Sequence, residues 1–326
     1  MPDRFDLAVV GAGPAGAAAA IHAARAGLDV LLVDRRARPV RAPGETLHPG
    51  TEAMLDRLGV GAAARSAGFH RHAGIWVEWD GARRFEAYGG DENGPWLGFQ
   101  ADRPRLETLL VEAAAAAGAE IRRGVPVGAP VLDRGRIRGF LLAGKPVAAR
   151  WTIDASGRRS WLAEELKLPE CVRSPPIFAR FGWEEASIPA AEPELAATGT
   201  GWRWRAPLAG GLRAWVNAEI APSAGKRGLG VDLTWRARGA GLPGALLAGD
   251  SAVTLDPCSS RGVLRALMTG IMAADIAAGE IGGRLRAEAA AEGYGRWLRD
   301  WFEADVAALA ALYRRHPSER VARLFA

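Results

Sequence analysis

The chain has 326 residues, 49% of them hydrophobic and 24% charged, with 42 Lys and Arg against 37 Asp and Glu and a formal net charge of +5. That balance is ordinary for a globular protein, and the length suits two modest domains. The basic residues are nearly all Arg and are scattered, which argues against a nucleic-acid partner. Cys171 and Cys258 form no CxxC, which argues against a disulfide framework and a metal site.

Leu7-Ala8-Val9-Val10 reads as a strand, Gly11 to Gly16 as a glycine turn, residues 15–26 as a helix closed by Gly27, and 29–33 as a second strand. A Pro- and Gly-rich loop over 35–49 precedes a helix at about 51–58. Segments 75–79 and 83–88, separated by Asp80-Gly81, form a hairpin pattern, and a helix is predicted over 103–117. Short β segments over 119–153 lead into Asp154-Ala155-Ser156-Gly157, and residues 171–236 alternate, carry many Trp and read as a small antiparallel sheet. Ala245-Leu246-Leu247-Ala248 is another apolar strand, followed by Gly249-Asp250, a turn from Pro257 to Gly262, a helix over 263–278 and further long helices. No repeat period, no basic-then-apolar leader and no uninterrupted apolar stretch of spanning length is visible, so a cytoplasmic protein without a membrane span is expected.

The first glycine segment sits in strand–turn–helix–strand context. Gly11 would permit the tight turn, Gly13 would let the backbone approach a pyrophosphate, and Gly16 would let the helix pack against the strand. Free N–H groups where Pro14-Ala15-Gly16 open the helix, with its dipole, would hold the phosphates. Asp34, with Arg35 beside it, ends the second strand where a carboxylate accepts hydrogen bonds from ribose. Gly239-Ala240-Gly241-Leu242-Pro243-Gly244 also spells GxGxxG but precedes a strand, so it reads as a turn and no second nucleotide domain is evident. The second glycine segment goes beyond what a nicotinamide enzyme needs. Gly249 and Asp250 would meet a ribityl hydroxyl. Pro257, Ser260, Gly262 and Val263 would bring a helix start to the pyrimidine edge of a flavin, where the dipole stabilises the reduced ring. An N-capped helix after a proline turn is the alternative.

With GxGPAG at Gly11 to Gly16, Asp154-Ala155-Ser156-Gly157-Arg158-Arg159-Ser160, Gly249-Asp250 with Pro257 and Gly262, and Arg103 ahead of Leu106-Glu107, the chain resembles one superfamily. It is the FAD-dependent superfamily of aromatic hydroxylases, flavin-dependent halogenases and geranylgeranyl reductases. The resemblance implies an α/β fold. A doubly wound, Rossmann-like FAD-binding domain would use 1–70, 99–165 and 240–290, an inserted antiparallel β-sheet substrate domain 71–98 and 166–239, and a C-terminal helical segment 291–326. It implies FAD as cofactor, with Arg103, Asp154 and Gly157 among its contacts, and NAD(P)H or a separate flavin reductase as electron donor.

Gly44-Glu45-Thr46-Leu47-His48-Pro49 resembles the Gly-Glu-Ser/Thr loop that these branches place against the flavin. That makes Glu45 and Thr46 cofactor contacts and Glu45 and His48 the acid–base candidates, with His48 either a proton shuttle or simply the residue before Pro49. Trp202-Arg203-Trp204-Arg205-Ala206-Pro207 resembles the WxWxIP signature of halogenases, with Ala206 where Ile is usual. Against that branch, the halogenase lysine falls near His72, whereas the lysines here are Lys145, Lys167 and Lys226. Imidazole does not replace a flexible ammonium. Ser259-Ser260-Arg261-Gly262 resembles the monooxygenases that mature cysteine tryptophylquinone on a peptide or partner protein. The expected function is FAD-dependent monooxygenation of an aromatic small-molecule or peptidyl substrate through a flavin C4a-hydroperoxide. The alternatives are a geranylgeranyl-reductase-like enzyme, a halogenase and a non-catalytic flavin-binding maturation partner.

Overall fold

A computed structural model of the chain describes residues 3–40, 45–185, 192–223, 225 and 230–326. Leu7, Ala8, Val9, Leu31, Leu32 and Val33 are wholly buried, the continuous apolar pattern of strands covered on both faces. The strands Glu120–Arg123, Val30–Asp34, Asp3–Val10, Lys145–Asp154 and Ala245–Leu247 run parallel in that spatial order. Numbered along the chain this is 3-2-1-4-5, the doubly wound order whose ligand crevice opens where it reverses, between Asp3–Val10 and Lys145–Asp154. Antiparallel strands Arg136–Leu142 and Val127–Asp133 extend the same sheet. Gly241–Leu242 pairs antiparallel with Ala245–Leu247 through Gly244 at φ 78°, so the second GxGxxG is a hairpin turn.

Helix Pro14–Arg25 packs on helices Gly262–Ile281 and Arg103–Ala116. A Cβ on Gly270 would lie 2.1 Å from the Ala15 carbonyl oxygen, so this contact is backbone against backbone. Helix Gly262–Ile281 is long and apolar enough to cross a membrane by length and composition alone, with a mean hydropathy of 1.3, although Arg265, Asp275 and Glu280 interrupt its apolar run. Its apolar side chains, Leu267, Ile271, Ala273 and Ala274 among them, are spent on the core.

A second sheet has seven strands in the order Val231–Asp232, Ile177–Glu185, Leu212–Ile220, Gly201–Pro207, Glu194–Thr198, Gly74–Glu78 and Arg83–Ala87. The expected antiparallel sheet has one exception, because Glu194–Thr198 runs parallel to Gly74–Glu78. These two strands come from separate insertions, so no tight turn dictates their relative direction. A third, small sheet joins Glu45–Leu47, Gly98–Ala101 and His70–His72. The 28-residue helix Ala287–Arg314 ties the molecule together. Its Tyr294 and Leu298 lie in the core of the first sheet, and its Phe302, Leu309 and Tyr313 pack with Trp79, Trp202 and Trp235 beneath the second.

Candidate functional site

The three glycines of the first turn have different jobs. Gly11 has φ 103°, and a Cβ there would lie 2.3 Å from the Ala155 carbonyl oxygen, so the turn passes hard against the neighbouring strand's end. A Cβ on Gly16 would lie 1.8 Å from the Gly11 carbonyl oxygen. Gly13 is open. Among the described residues, the heavy atom nearest its missing Cβ is Arg103 Nη2, at 4.0 Å. Helix Pro14–Arg25 begins there without a side-chain cap and without an acid in its first turn. Its first N–H groups, the open face of Gly13 and the Arg103 guanidinium make a cradle that fits a pyrophosphate.

Asp34, expected to meet a ribose, is buried, and its carboxylate is held by protein donors. It accepts hydrogen bonds from the Ala12 N–H at 2.9 Å, the Arg36 N–H at 2.8 Å and the Arg36 guanidinium at 3.2 Å. Burial pushes its carboxyl up, but the Arg36 and Ala12 hydrogen bonds outweigh that and hold it below the usual carboxylate range. The basic partner of Asp34 is therefore Arg36, while Arg35, expected as a cofactor contact, is exposed. Buried Glu107 joins the group, pairing with Arg103 Nε at 2.7 Å and lying 4.0 Å from Arg36. Sequence reasoning passed over Arg36 and the function of Glu107, although Glu107 stands four residues after Arg103 on one helix face.

Asp154 is corrected from cofactor contact to structural hub. Its Oδ1 accepts from Ser156 N–H, Ser156 Oγ and Ser251 Oγ at 2.9, 2.6 and 3.2 Å. Its Oδ2 accepts from Ser160 Oγ and the Leu162 N–H at 3.0 and 2.8 Å. Wholly buried and saturated by protein donors, it has no surface left for a ligand. It locks the end of its own strand to Ser251, which also accepts from the Gly157 N–H at 3.0 Å. The second glycine segment is thereby drawn to the first. Gly249, at φ 62°, is so close to the nucleotide helix that a Cβ would lie 2.9 Å from Ala15 Cβ. Asp250 is partly exposed beside the same crevice and pairs with Arg158 at 3.3 Å.

Two tryptophans fasten the segments expected to face the flavin to the second sheet. Trp202 Nε1 donates to Tyr313 Oη at 2.9 Å and to Asp256 Oδ2 at 3.2 Å, and the Tyr313 hydroxyl donates to the same carboxylate. All three side chains are buried. Asp256 Oδ1 in turn caps the short turn Pro257–Ser259 by accepting from the Cys258 N–H at 2.9 Å. Burial pushes the Asp256 carboxyl and the Cys258 thiol up, so Cys258 is an inert packing residue. Ser260, at φ 51°, leads from this turn into the uncapped helix at Gly262, with Val263 buried behind it. On the other side Trp204 Nε1 donates to Thr46 Oγ1 at 3.1 Å, and Thr46 donates to Gln100 at 2.8 Å. The Thr46 hydroxyl is thus committed to protein rather than free for a cofactor. Gly44 and the side chains of Glu45 and Ser259 lie outside the described residues.

His48 is at the mouth of this region. Its Nδ1 accepts from the Gly50 N–H at 3.1 Å, which leaves the neutral ring's proton on Nε2, and its ring meets the edge of Tyr88 at 5.2 Å. Partial burial and then the Arg261 charge hold its pKa below the ordinary value. His72 is deeper, 3% exposed, and its Nδ1 lies 3.0 Å from the Gly74 carbonyl, so that nitrogen carries the proton. Burial also lowers its pKa and pushes the Tyr88 phenol up to about 12. His72 Nε2, Tyr88 Oη and Gln100 Nε2 are buried and find no hydrogen-bond partner among the described residues. They mark a polar-lined junction between the small sheet and the second sheet.

The arrangement is that of a flavoprotein, with one set of turns forming a cradle that fits a pyrophosphate and a second set bracketed to an inserted sheet. The family model for an FAD binding domain matches residues 4–204, and the chain belongs to that family of FAD-dependent oxidoreductases. A tryptophan 2-halogenase of Chondromyces crocatus is 26% identical over 93% of this chain and 66% of its own length. A menaquinone reductase of Mycolicibacterium smegmatis is 37% identical over 51% of this chain and 41% of its own. A 6-methylpretetramide 4-monooxygenase of Streptomyces rimosus is 33% identical over 50% of this chain and 41% of its own. The chain thus spans less than two thirds of these relatives. Among solved structures, the myxobacterial chondrochloren halogenase CndH superposes with a TM-score of 0.83 at 23% identity, covering 97% of this chain and 84% of that one.

Proposed function

We propose that the protein is a flavin monooxygenase that transfers an oxygen atom to an electron-rich aromatic ring. Bound FAD would supply the redox and oxygen chemistry. The chain's own part is to hold the pyrophosphate at Gly13 and Arg103, to seat the ring between the Thr46 loop and the Pro257–Gly262 turn, and to keep water from the junction beside His72. The observation that carries this reading is His72 itself. It lies near the place where the resemblance puts the halogenase lysine, and it is buried, with Nδ1 tied to Gly74 and its charge disfavoured. Among the described residues the lysines stand elsewhere, Lys145 opening a strand of the first sheet and Lys167 closing helix Trp161–Leu166.

Halogenation of an aromatic ring is the second reading, favoured by the match to the tryptophan 2-halogenase along 93% of the chain. The test uses FAD-loaded protein, NAD(P)H or a separate flavin reductase, and ¹⁸O₂ with a panel of aromatic substrates. Incorporation of one ¹⁸O atom per ring, indifferent to bromide, is the expected result. A product formed only with halide and carrying it, or reduction of an alkene without oxygen uptake, would replace the reading.

A further inference from the structure

A cleft of about 300 Å³ lies between the His48–Gly50 turn, the start of helix Gly262–Ile281 and the middle of helix Ala287–Arg314. Its charges do not cancel. Arg265 and Asp305 pair at 2.6 Å with side chains 13% and 15% exposed, so each neutralises the other. Arg261 is 60% exposed and reaches Asp305 only at 3.8 Å. One guanidinium is left over at the rim. Trp301 supplies a wall, held by stacking on Trp297 with ring centroids 5.3 Å apart, and Leu264 supplies apolar floor. An aromatic wall, an apolar floor and an unmatched planar cation together suit a planar organic anion. The volume sits at the small end of ligand sites, about 300–1,000 Å³, which suits one or two fused rings rather than a polypeptide. Arg261 immediately precedes Gly262, and His48 belongs to the Thr46 loop, so the cleft borders both flavin-facing segments.

We infer that this cleft receives a small aromatic carboxylate, with Arg261 as its anion anchor and Trp301 as the surface on which its ring stacks. The role of that ligand as substrate rests on the oxygen-transfer reading above. Its binding does not.

The test is calorimetric titration of indole-3-carboxylate, and of neutral indole-3-carboxamide, into FAD-free and FAD-loaded protein. The acid is expected to bind both forms and to bind more tightly than the amide. Arg261→Gln is expected to weaken the acid about tenfold or more and leave the amide unchanged, because a charge-assisted bond is lost. Arg261→Lys, which keeps the charge without the fork, should fall between. Trp301→Leu should weaken acid and amide alike. Equal affinity for acid and amide, or an Arg261→Gln protein that keeps its unfolding temperature and full acid affinity, overturns the inference. Competition between FAD and the acid overturns it too, since the cleft would then be the flavin's own seat. If the acid binds as described but no oxygen is transferred, only the monooxygenase reading fails.

Discussion

Replacing Gly13 by alanine separates cofactor binding from folding. Gly13 has φ −76° and ψ −176°, which alanine adopts without strain, and the nearest heavy atom to the added methyl is Arg103 Nη2 at 4.0 Å. The fold therefore has room for it. By restricting the unfolded chain, the substitution should leave the FAD-free protein as stable as before or more stable by about 0.4–1 kcal/mol. The same methyl occupies the face by which a pyrophosphate would reach the helix start. Losing one charge-assisted N–H bond costs about 1.5–3 kcal/mol, a rise in the FAD dissociation constant of about 10- to 150-fold. Gly16→Ala is the opposite case. Its Cβ would lie 1.8 Å from the Gly11 carbonyl oxygen, so the helix must move off the strand and folding should suffer. Flavin fluorescence titration and thermal unfolding of the FAD-free proteins read the two effects separately. A Gly13→Ala protein that binds FAD as tightly as the parent, or that loses stability in step with affinity, would refute the assignment of this turn to the pyrophosphate.

Further outcomes concern the buried carboxylates and the tryptophan contacts. Tyr313→Phe removes a hydroxyl bonded to a buried carboxylate and to Trp202, and should cost about 2–4 kcal/mol in urea unfolding; no loss would mean that Asp256 finds another donor. Burial raises the folded pKa of Asp256 above its unfolded value of 3.8, so between the two the native state keeps a proton that the unfolded chain has released. The stability linked to it is full below 3.8 and is lost as pH rises through the folded value, so the advantage of the parent over Asp256→Asn should shrink from about pH 4 upward. A stability difference that is flat with pH would refute this. Asp34, whose folded pKa is lowered, acts in the other window: its contribution is present above 3.8 and lost as pH falls through its folded value. Trp204→Phe should cost about 0.5–1.5 kcal/mol, and a double-mutant cycle with Thr46→Val should show that the two losses overlap rather than add.

The cofactor half was legible because its chemistry is backbone chemistry written at short range. The spacing of Gly11, Gly13 and Gly16 and the acid at Asp34 are local, and each glycine meets the steric condition its spacing implied. What stayed hidden depends on distant partners. Asp154 resembles a ligand until Ser251, 97 residues away, helps to saturate it. Asp256 and Tyr313, 57 residues apart, carry no mutual signal at all. Arg35 and Arg36 are indistinguishable in composition, and only the backbone direction after the strand shows which one reaches Asp34. The parallel junction between Glu194–Thr198 and Gly74–Glu78 was missed because alternation reports a strand's faces and not its direction.

The tryptophan motif changes meaning in this light. Trp202 and Trp204, on one face of their strand, anchor two separate segments, the turn through Asp256 and the loop through Thr46. Both indole N–H groups are consumed by protein acceptors, so the motif's work in this fold is to hold the Thr46 loop and the Asp256 turn on one sheet. Any reaction that needs the flavin and the inserted sheet in register needs that work, whether the ring is hydroxylated or halogenated. The motif therefore ties the chain to the architecture and leaves the chemistry to residues at the junction. There His72 presents a buried Nε2 and Tyr88 a buried hydroxyl, neither with a protein partner among the described residues. A neutral imidazole and a neutral phenol there offer hydrogen bonding without a fixed charge.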